Sequence, residues 1–118
     1  MKHANIVALS GPNTGSLTGA AIDAVELYKA SFQASMGDST GAGSIIIQAS
    51  NDICNVQYNP SIFVPTNWTV LSTTAFAAGA GSVLIPAFDS SYRWLRVVYT
   101  SITPGTSTIS VNMFAVAV

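Results

Sequence analysis

The chain has 118 residues, of which four are basic and five acidic, so that its net charge is −1. Its cations, Lys2, Lys29, Arg93 and Arg96, are too few for the phosphate contacts of a nucleic-acid-binding protein. No apolar run reaches the roughly 18–20 residues of a membrane span, and the N-terminus lacks the pattern of a secretion signal.

The shortage of charge falls on the exterior of the protein. Charged residues make up 8% of the chain and apolar residues 49%, whereas about 25% of an average domain is charged. Because a domain of this length leaves about a third of its unfolded surface exposed, the surface should consist of neutral polar side chains and left-over apolar ones. Such a composition is typical of a subunit that other protein covers.

The N-terminal part of the chain contains short extended segments and a loop. Residues 4–9 predict a first strand, and Ser10–Ser16 is rich in loop-forming residues. Residues 16–22 are a second strand or an extended approach to the third. The chain therefore divides into an N-terminal arm or first strand, residues 1–15, and one β-sandwich domain, residues 16–118.

The longest patterned segment is residues 24–36. Ala, Glu and Leu favour a helix over 20–30, but apolar and polar residues alternate strictly from Tyr28 onward, which favours a strand. The predicted inward face consists of Tyr28, Ala30, Phe32, Ala34 and Met36.

Further strands follow at intervals that turn residues mark. Residues 37–43 predict a hairpin loop, residues 53–66 an irregular segment, and Pro86 an edge or bulge position. The predicted strands are 44–50, 68–71, 83–88, 92–100 and 107–118. About seven to nine strands, spaced roughly 8–12 residues apart, indicate an all-β, antiparallel two-sheet sandwich of jelly-roll type.

Several strands carry apolar residues on both faces, as Ile45-Ile46-Ile47 shows. In the last strand Met113 shares a face with Ile109 and Val111, and the opposite face holds Phe114, Val116 and Val118. Unless a bulge near Met113 turns them inward, these three side chains face outward and are candidates for contact with a partner. Homo-oligomer formation, as a trimer or dimer, is the simplest way to cover them.

Five polar, charged and aromatic positions are expected to have structural roles. Asn51 and Asp52 end a strand, since both residue types bond nearby backbone. Trp68 and Trp94 supply large buried areas and each need an acceptor for the indole N–H. An inward Arg96 would need Asp52, Asp89 or loop carbonyls as partners, and an outward Arg96 would lie along apolar neighbours.

No residue pattern predicts catalysis or a cofactor. His3 and Glu26 are the only residues of their types, and neither has the partner that a hydrolytic site requires. Asp38, Asp52 and Asp89 lie in predicted turns, where a calcium site is the alternative to local bonding. Cys54 is expected to be a partly buried free thiol. The chain is therefore expected to be non-enzymatic and free of cofactors.

The segment Tyr58–Phe63 is the best candidate for a functional loop, since it is irregular and apolar at both ends. Tyr58 and Phe63 could contact a ligand such as a sugar ring. The alternative is that the segment closes one end of the sandwich or packs on a neighbouring subunit.

Four segments occur here in an order typical of known proteins. They are Gly43–Asp52, Asn67–Leu71, Gly81–Ile85 and Tyr92–Thr100. The set resembles small β-sandwich virion proteins of tailed bacteriophages, including capsid decoration and head-fibre proteins. The chain also resembles discoidin-type jelly rolls, which bind sugars or lipids, in having a strand, Ser-Asn-Asp, Trp and Arg-Trp-Leu-Arg-Val in that order. It departs from them in two ways: the paired cysteines of many such domains are missing, and residues 53–66 are an insertion.

The first resemblance implies a virion structural protein that is made in the bacterial cytoplasm. It would act as a capsid decoration (cement) or fibre-base subunit, with other copies of itself and a major capsid or other virion protein as partners. The second resemblance implies a carbohydrate-binding module for host-surface glycans, with its ligand near Tyr58–Phe63 or Tyr92.

Overall fold

The computed structural model describes residues 2–53 and 64–117, in which nine strands form two antiparallel sheets. The strands are β1 (Lys2–Pro12), β2 (Leu17–Thr18), β3 (Ile22–Asp23), β4 (Leu27–Met36), β5 (Ala42–Ser50), β6 (Thr69–Phe76), β7 (Ser82–Asp89), β8 (Trp94–Thr103) and β9 (Thr108–Ala117). The prediction of an all-β two-sheet sandwich is confirmed. Within the described residues, no helix has the length and apolar character needed to cross a membrane.

The sheets interleave strands from distant parts of the chain. One sheet has the order β1-β9-β4-β7 and the facing sheet the order β2-β8-β5-β6, with β3 also paired to β8. Because β2 and β3 lie one after the other along β8, they take the place of a single strand. The result is the strand order of a jelly roll.

The core lies between the sheets and is built by alternation along the central strands. In β9 the side chains of Ile109, Val111, Met113 and Ala115 are all 0% exposed. The facing sheet contributes a second buried set, which consists of Ile45, Ile47, Leu95, Val97 and Tyr99. Period-two burial on both sheets is what the alternating sequence predicts.

The last strand contains no bulge. β9 pairs with β4 in unbroken register from Val116, opposite Lys29, to Ile109, opposite Met36. Phe114 and Val116 therefore lie on the outer face, as the alternation predicts in the absence of a bulge.

Two predicted details differ from the structure. Tyr28 is the extra residue of a bulge between β4 and β9 and is 38% exposed, so the inward alternation begins at Ala30 instead. Residues 37–43 do not form a hairpin, because β4 and β5 belong to different sheets. Turn composition marks where the chain reverses but not which sheet receives the next strand.

At Pro86 the prediction is confirmed, since β7 is an edge strand and Pro86 lies in its bulge.

The first strand belongs to the sandwich itself. β1 pairs with β9 from Lys2, opposite Ala117, to Pro12, opposite Thr108. Residues 2–12 are thus an edge strand of the four-stranded sheet.

Candidate functional site

The outer face of the four-stranded sheet is almost free of charge. On β9 and β4 the outward side chains are neutral except for Lys29. The neutral ones are Ser110, Asn112, Phe114, Val116, Ser31, Gln33 and Ser35. Three large apolar side chains stand out among these neutral groups. Val7 is 65%, Leu84 70% and Phe114 43% exposed.

Phe114 and Leu84 flank a shallow depression of about 260 Å³ in this face. Its rim also includes Asn5, Ser31, Gln33 and Asn112, so its polar groups are neutral amides and one hydroxyl. On the other side of Phe114 lies the His3 ring, with centroids 5.4 Å apart and planes at 50°. We call Val7, Leu84 and Phe114 with this depression the outer-face patch; its chemistry suits an apolar side chain of another protein.

The predicted contact residues are only partly brought together. Phe114 belongs to the outer-face patch, and Val116 lies two residues further along the same face, half-buried. Tyr58, Phe63 and Val118 lie outside the described residues, as does Cys54. Val7 and Leu84 were missed by sequence reasoning. Leu84 shares its face of the strand with Ser82 and Pro86, which is the signal that could have indicated its outward direction.

Asn51 and Asp52 tie the end of β5 to two other segments. The Asn51 side-chain oxygen accepts a hydrogen bond from the Arg93 backbone N–H at 2.9 Å. Asp52 accepts backbone N–H bonds from Thr66 at 2.7 Å and Asn67 at 2.9 Å, together with one from the Asn67 side-chain amide. The bonds from Asn67 and Thr66 lower the pKa of Asp52. Both residues thus hold backbone far along the chain, beyond the local bonding expected of a turn.

Both indole N–H groups have the acceptors that burial demands. Trp94 donates to the Asp52 carbonyl at 3.2 Å and Trp68 to the Pro65 carbonyl at 3.1 Å. Trp94 is nearly buried even though it lies on the outer side of β8, beneath the Arg93 guanidinium at 4.2 Å. Arg93 also pairs with Asp23, a contact that sequence reasoning missed.

Arg96 points outward from the five-stranded sheet. Its guanidinium lies 4.2 Å from the Trp68 ring centre, and its Nε donates to the Gln48 side-chain oxygen at 2.6 Å. Partial burial lowers the pKa of Arg96, which nevertheless stays cationic. Because its guanidinium contacts Trp68 and Gln48, Arg96 has a structural role on the outer side of the sheet.

An open cleft of about 620 Å³ lies at the same end of the sandwich. Its walls include Asn51, Asp52, Ser90, Tyr92 and Arg93. Tyr92 offers an aromatic ring beside amide, carboxylate and guanidinium groups, which is a combination that can bind hydroxylated rings. This places Tyr92, one of the two predicted ligand positions, in a cleft.

The opposite end is closed by a polar cluster that the sequence did not reveal. Asn13 is 0% exposed, and its side-chain amide donates to an Asp38 carboxylate oxygen at 3.2 Å and accepts from the Ser107 N–H at 3.0 Å. Asp38 also accepts backbone N–H bonds from Thr106 at 2.6 Å and Gly41 at 3.1 Å. Those two bonds, with the one from Asn13, lower the pKa of Asp38 to about 2. In the sequence, Asn13 is indistinguishable from an exposed loop residue, because no local pattern indicates that it is buried.

The three aspartates that were predicted to lie in turns are not brought together. Asp89 is the last residue of β7, paired with Lys29 of β4, and so belongs to a strand and not to a turn. Asp38 and Asp52 bond different segments at the two ends of the sandwich. In residues 2–53 and 64–117, no group of three or more His, Cys, Asp or Glu side chains could hold a metal ion.

Comparison with known proteins identifies the fold only. No protein-family model and no curated protein sequence matches the chain. Among solved structures, the SPBc2 prophage-derived protein YomS is similar, with a TM-score of 0.60 over 98% of this chain and 94% of that one. The two sequences are 12% identical, so the likeness extends to the sandwich architecture alone.

Proposed function

We propose that this chain is a non-enzymatic structural subunit of a phage particle. It acts as a capsid decoration (cement) or fibre-base protein through contacts with copies of itself and with a capsid or other virion protein. The observation that carries the proposal is the outer-face patch, in which Val7, Leu84 and Phe114 stand exposed on a surface with hardly any charge.

Burial of these side chains supplies the binding free energy. A large apolar side chain contributes about 1.5–3 kcal/mol when it passes fully from water into a contact, and Phe114, already half covered, contributes less. The neutral amides and hydroxyls around the patch can pair across an interface without the desolvation cost of charges. Many copies on a symmetric particle repeat each contact, so that modest interfaces add up.

The likeness to a prophage-derived protein supports a phage origin. The match covers 98% of this chain and 94% of that one, so the likeness extends over the whole sandwich. The subunit would be made in the bacterial cytoplasm and end up in the virion.

Sedimentation tests the proposal. At tens of micromolar, the purified protein should sediment as an oligomer, and it should co-sediment with particles of the phage that encodes it. Phe114→Ser and Leu84→Ser should each weaken particle binding, while Ile102→Ser, which removes a 73% exposed side chain outside the patch, should leave it unchanged. A monomer that ignores the particles contradicts the proposal.

A second candidate function is glycan binding, which the cleft beside Tyr92 favours. Its volume of about 620 Å³ lies within the range of small-molecule sites. A glycan array should then show binding, and Tyr92→Ala should abolish it. Tyr28→Ala should preserve it, because Tyr28 is an exposed tyrosine outside the cleft lining. An array without any bound glycan removes this candidate and leaves the structural role intact. The two roles are compatible on one subunit.

A further inference from the structure

The edges of the two sheets differ in how they are protected against pairing. An edge strand exposes unpaired N–H and C=O groups, and proteins protect such edges with proline, charge, bulges or short strands. Within the described residues the edges are β1 and β7 of the four-stranded sheet, and β6 and the β2–β3 pair of the other.

Three of these edges carry clear protection. β1 has a bulge between Val7 and Leu9 and ends at Pro12. β7 has a bulge that includes Pro86, and it ends at the charged Asp89. β2 and β3 are two residues long each.

The fourth edge, β6, contains neither a charged residue nor a proline. It has one bulge, at Leu71, and beyond it Ser72–Phe76 pair in regular register with Gly43–Ile47 of β5. On the other side of these five residues, no strand of residues 2–53 and 64–117 is paired with β6. Thr73 and Ala75 are exposed there, so a regular and uncharged stretch of strand backbone is open to a partner.

A second observation lies on the inner side of the same strand. Ser72 and Thr74 line a cleft of about 330 Å³ between β6 and β7, where the two sheets part. The Ser72 hydroxyl oxygen is buried and has no hydrogen-bond partner among the described residues. A buried hydroxyl without a partner is costly, which indicates that something else completes this site.

We propose that a second copy of the chain pairs its own β6 antiparallel to this edge, with the two-fold axis at Thr73. Thr73 then faces the partner subunit's Thr73 on the outer side of the sheet. On the inner side Ser72 faces the partner subunit's Thr74. Rotation of the Ser72 side chain about χ1 turns its enclosed hydroxyl toward the hydroxyl of the partner subunit's Thr74, which supplies the missing hydrogen bond. The proposal rests on the self-association in the proposed function and adds a second contact between copies, separate from the outer-face patch.

A copy of this chain fits the edge better than a charged partner strand does. Neither β6 nor β5 carries a charge, so the two strands and their neighbours meet without like-charge repulsion. The segment Ser72-Thr73-Thr74 is self-complementary when it is read antiparallel about Thr73. A two-fold contact of this kind closes at two copies and does not propagate into fibres.

Cysteine cross-linking tests the register. In a Cys54→Ser background, Thr73→Cys places the two thiols opposite each other, since directly opposed antiparallel residues have Cα atoms about 4.5–5.5 Å apart, within disulfide range. Mild oxidation should form a covalent dimer at least about tenfold faster than for Ala87→Cys on the β7 edge. Ala87 is a matched control because it is also an exposed edge-strand residue.

A charge placed on the axis tests the same contact without cross-linking. Thr73→Lys puts two like charges face to face and should raise the dimer Kd by about fivefold. Thr100→Lys, the same change at an exposed position of the central strand β8, should change it by less than about twofold. Far-ultraviolet circular dichroism would confirm that both variants keep the fold.

The outcomes separate this proposal from the proposed function. A native dimer that cross-links no faster at Thr73→Cys than at Ala87→Cys overturns pairing through β6 and leaves self-association standing. A native protein that stays monomeric at concentrations on the order of 100 μM overturns both.

Discussion

Asp38 joins three separate loops through its two carboxylate oxygens. One oxygen accepts from the Gly41 N–H in its own loop, and the other accepts from the Thr106 N–H and from the buried Asn13 amide. All three groups are donors, and a carboxylate accepts from them more strongly than a protonated carboxyl, whose own proton occupies one acceptor position. The ionised form of Asp38 is therefore the form that holds this end of the sandwich together.

We expect stability to fall in acid because of Asp38. Its folded pKa of about 2 lies below the ordinary value of 3.8, so its contribution is present above about pH 4 and is lost as the pH falls through 2. Thermal unfolding of the wild type and Asp38→Asn should differ most near pH 6 and converge toward pH 2. Asp89→Asn, at an exposed aspartate outside the cluster, is the control. A wild-type advantage that is independent of pH contradicts this role.

Arg96 and Trp68 should stabilise the fold jointly. The guanidinium stacks 4.2 Å from the ring centre, and such contacts contribute about 0.5–2 kcal/mol. In urea unfolding, a double-mutant cycle of Arg96→Met and Trp68→Leu should give a coupling energy in that range. The cycle of Lys29→Met and Trp68→Leu, on different sheets, should give none. Additive losses for Arg96 and Trp68 would show that the stacking contributes no stability.

At the scale of elements, the sequence predicts strands well and their connections poorly. The alternation in β9, and in β4 from Ala30 onward, identifies the inward residues correctly, because a strand with one face on the core and the other face outward leaves a period of two. The bulges at Tyr28 and Leu71 interrupt that period by one residue, and no residue type marks them. Which sheet receives β5 after β4 depends on packing between distant strands, and a local pattern does not contain that information.

Gly43 illustrates a packing constraint that only the fold reveals. A Cβ on this residue of β5 would stand 2.2 Å from the Thr100 backbone oxygen and 2.7 Å from the Tyr99 ring. A backbone atom of a central strand cannot move away cheaply, so Gly43→Ala should reduce the free energy of unfolding by about 1–3 kcal/mol. Gly15→Ala, where nothing lies within 4 Å, should stay within about 0.5 kcal/mol. Urea unfolding of both variants checks this, and equal stabilities would contradict the steric reason.

At the scale of the whole molecule, composition alone predicts an exterior poor in charge. Nine charges among 118 residues leave neutral polar groups on the outer face of the four-stranded sheet, as the outward residues of β4 and β9 show. Composition does not locate the apolar side chains that remain outside. Phe114 was identified because β9 alternates without a bulge, whereas Val7 lies next to the β1 bulge, where the period is broken and the direction of a side chain cannot be inferred.

This exterior has a consequence for the salt dependence of self-association. Added salt screens interactions between exposed charges, and among the described residues only one ion pair, Arg93 with Asp23, is present. In sedimentation equilibrium, the self-association constant should therefore change by less than about threefold between 0.05 and 0.5 M NaCl, and sulfate should strengthen it because burial of apolar surface dominates.

Gln33→Lys, which adds a charge beside the outer-face patch, tests whether that face takes part: if it does, association should weaken at low salt and recover at high salt. A wild-type constant that falls tenfold or more with NaCl would mean that charges hold the copies together, contrary to the uncharged contacts proposed.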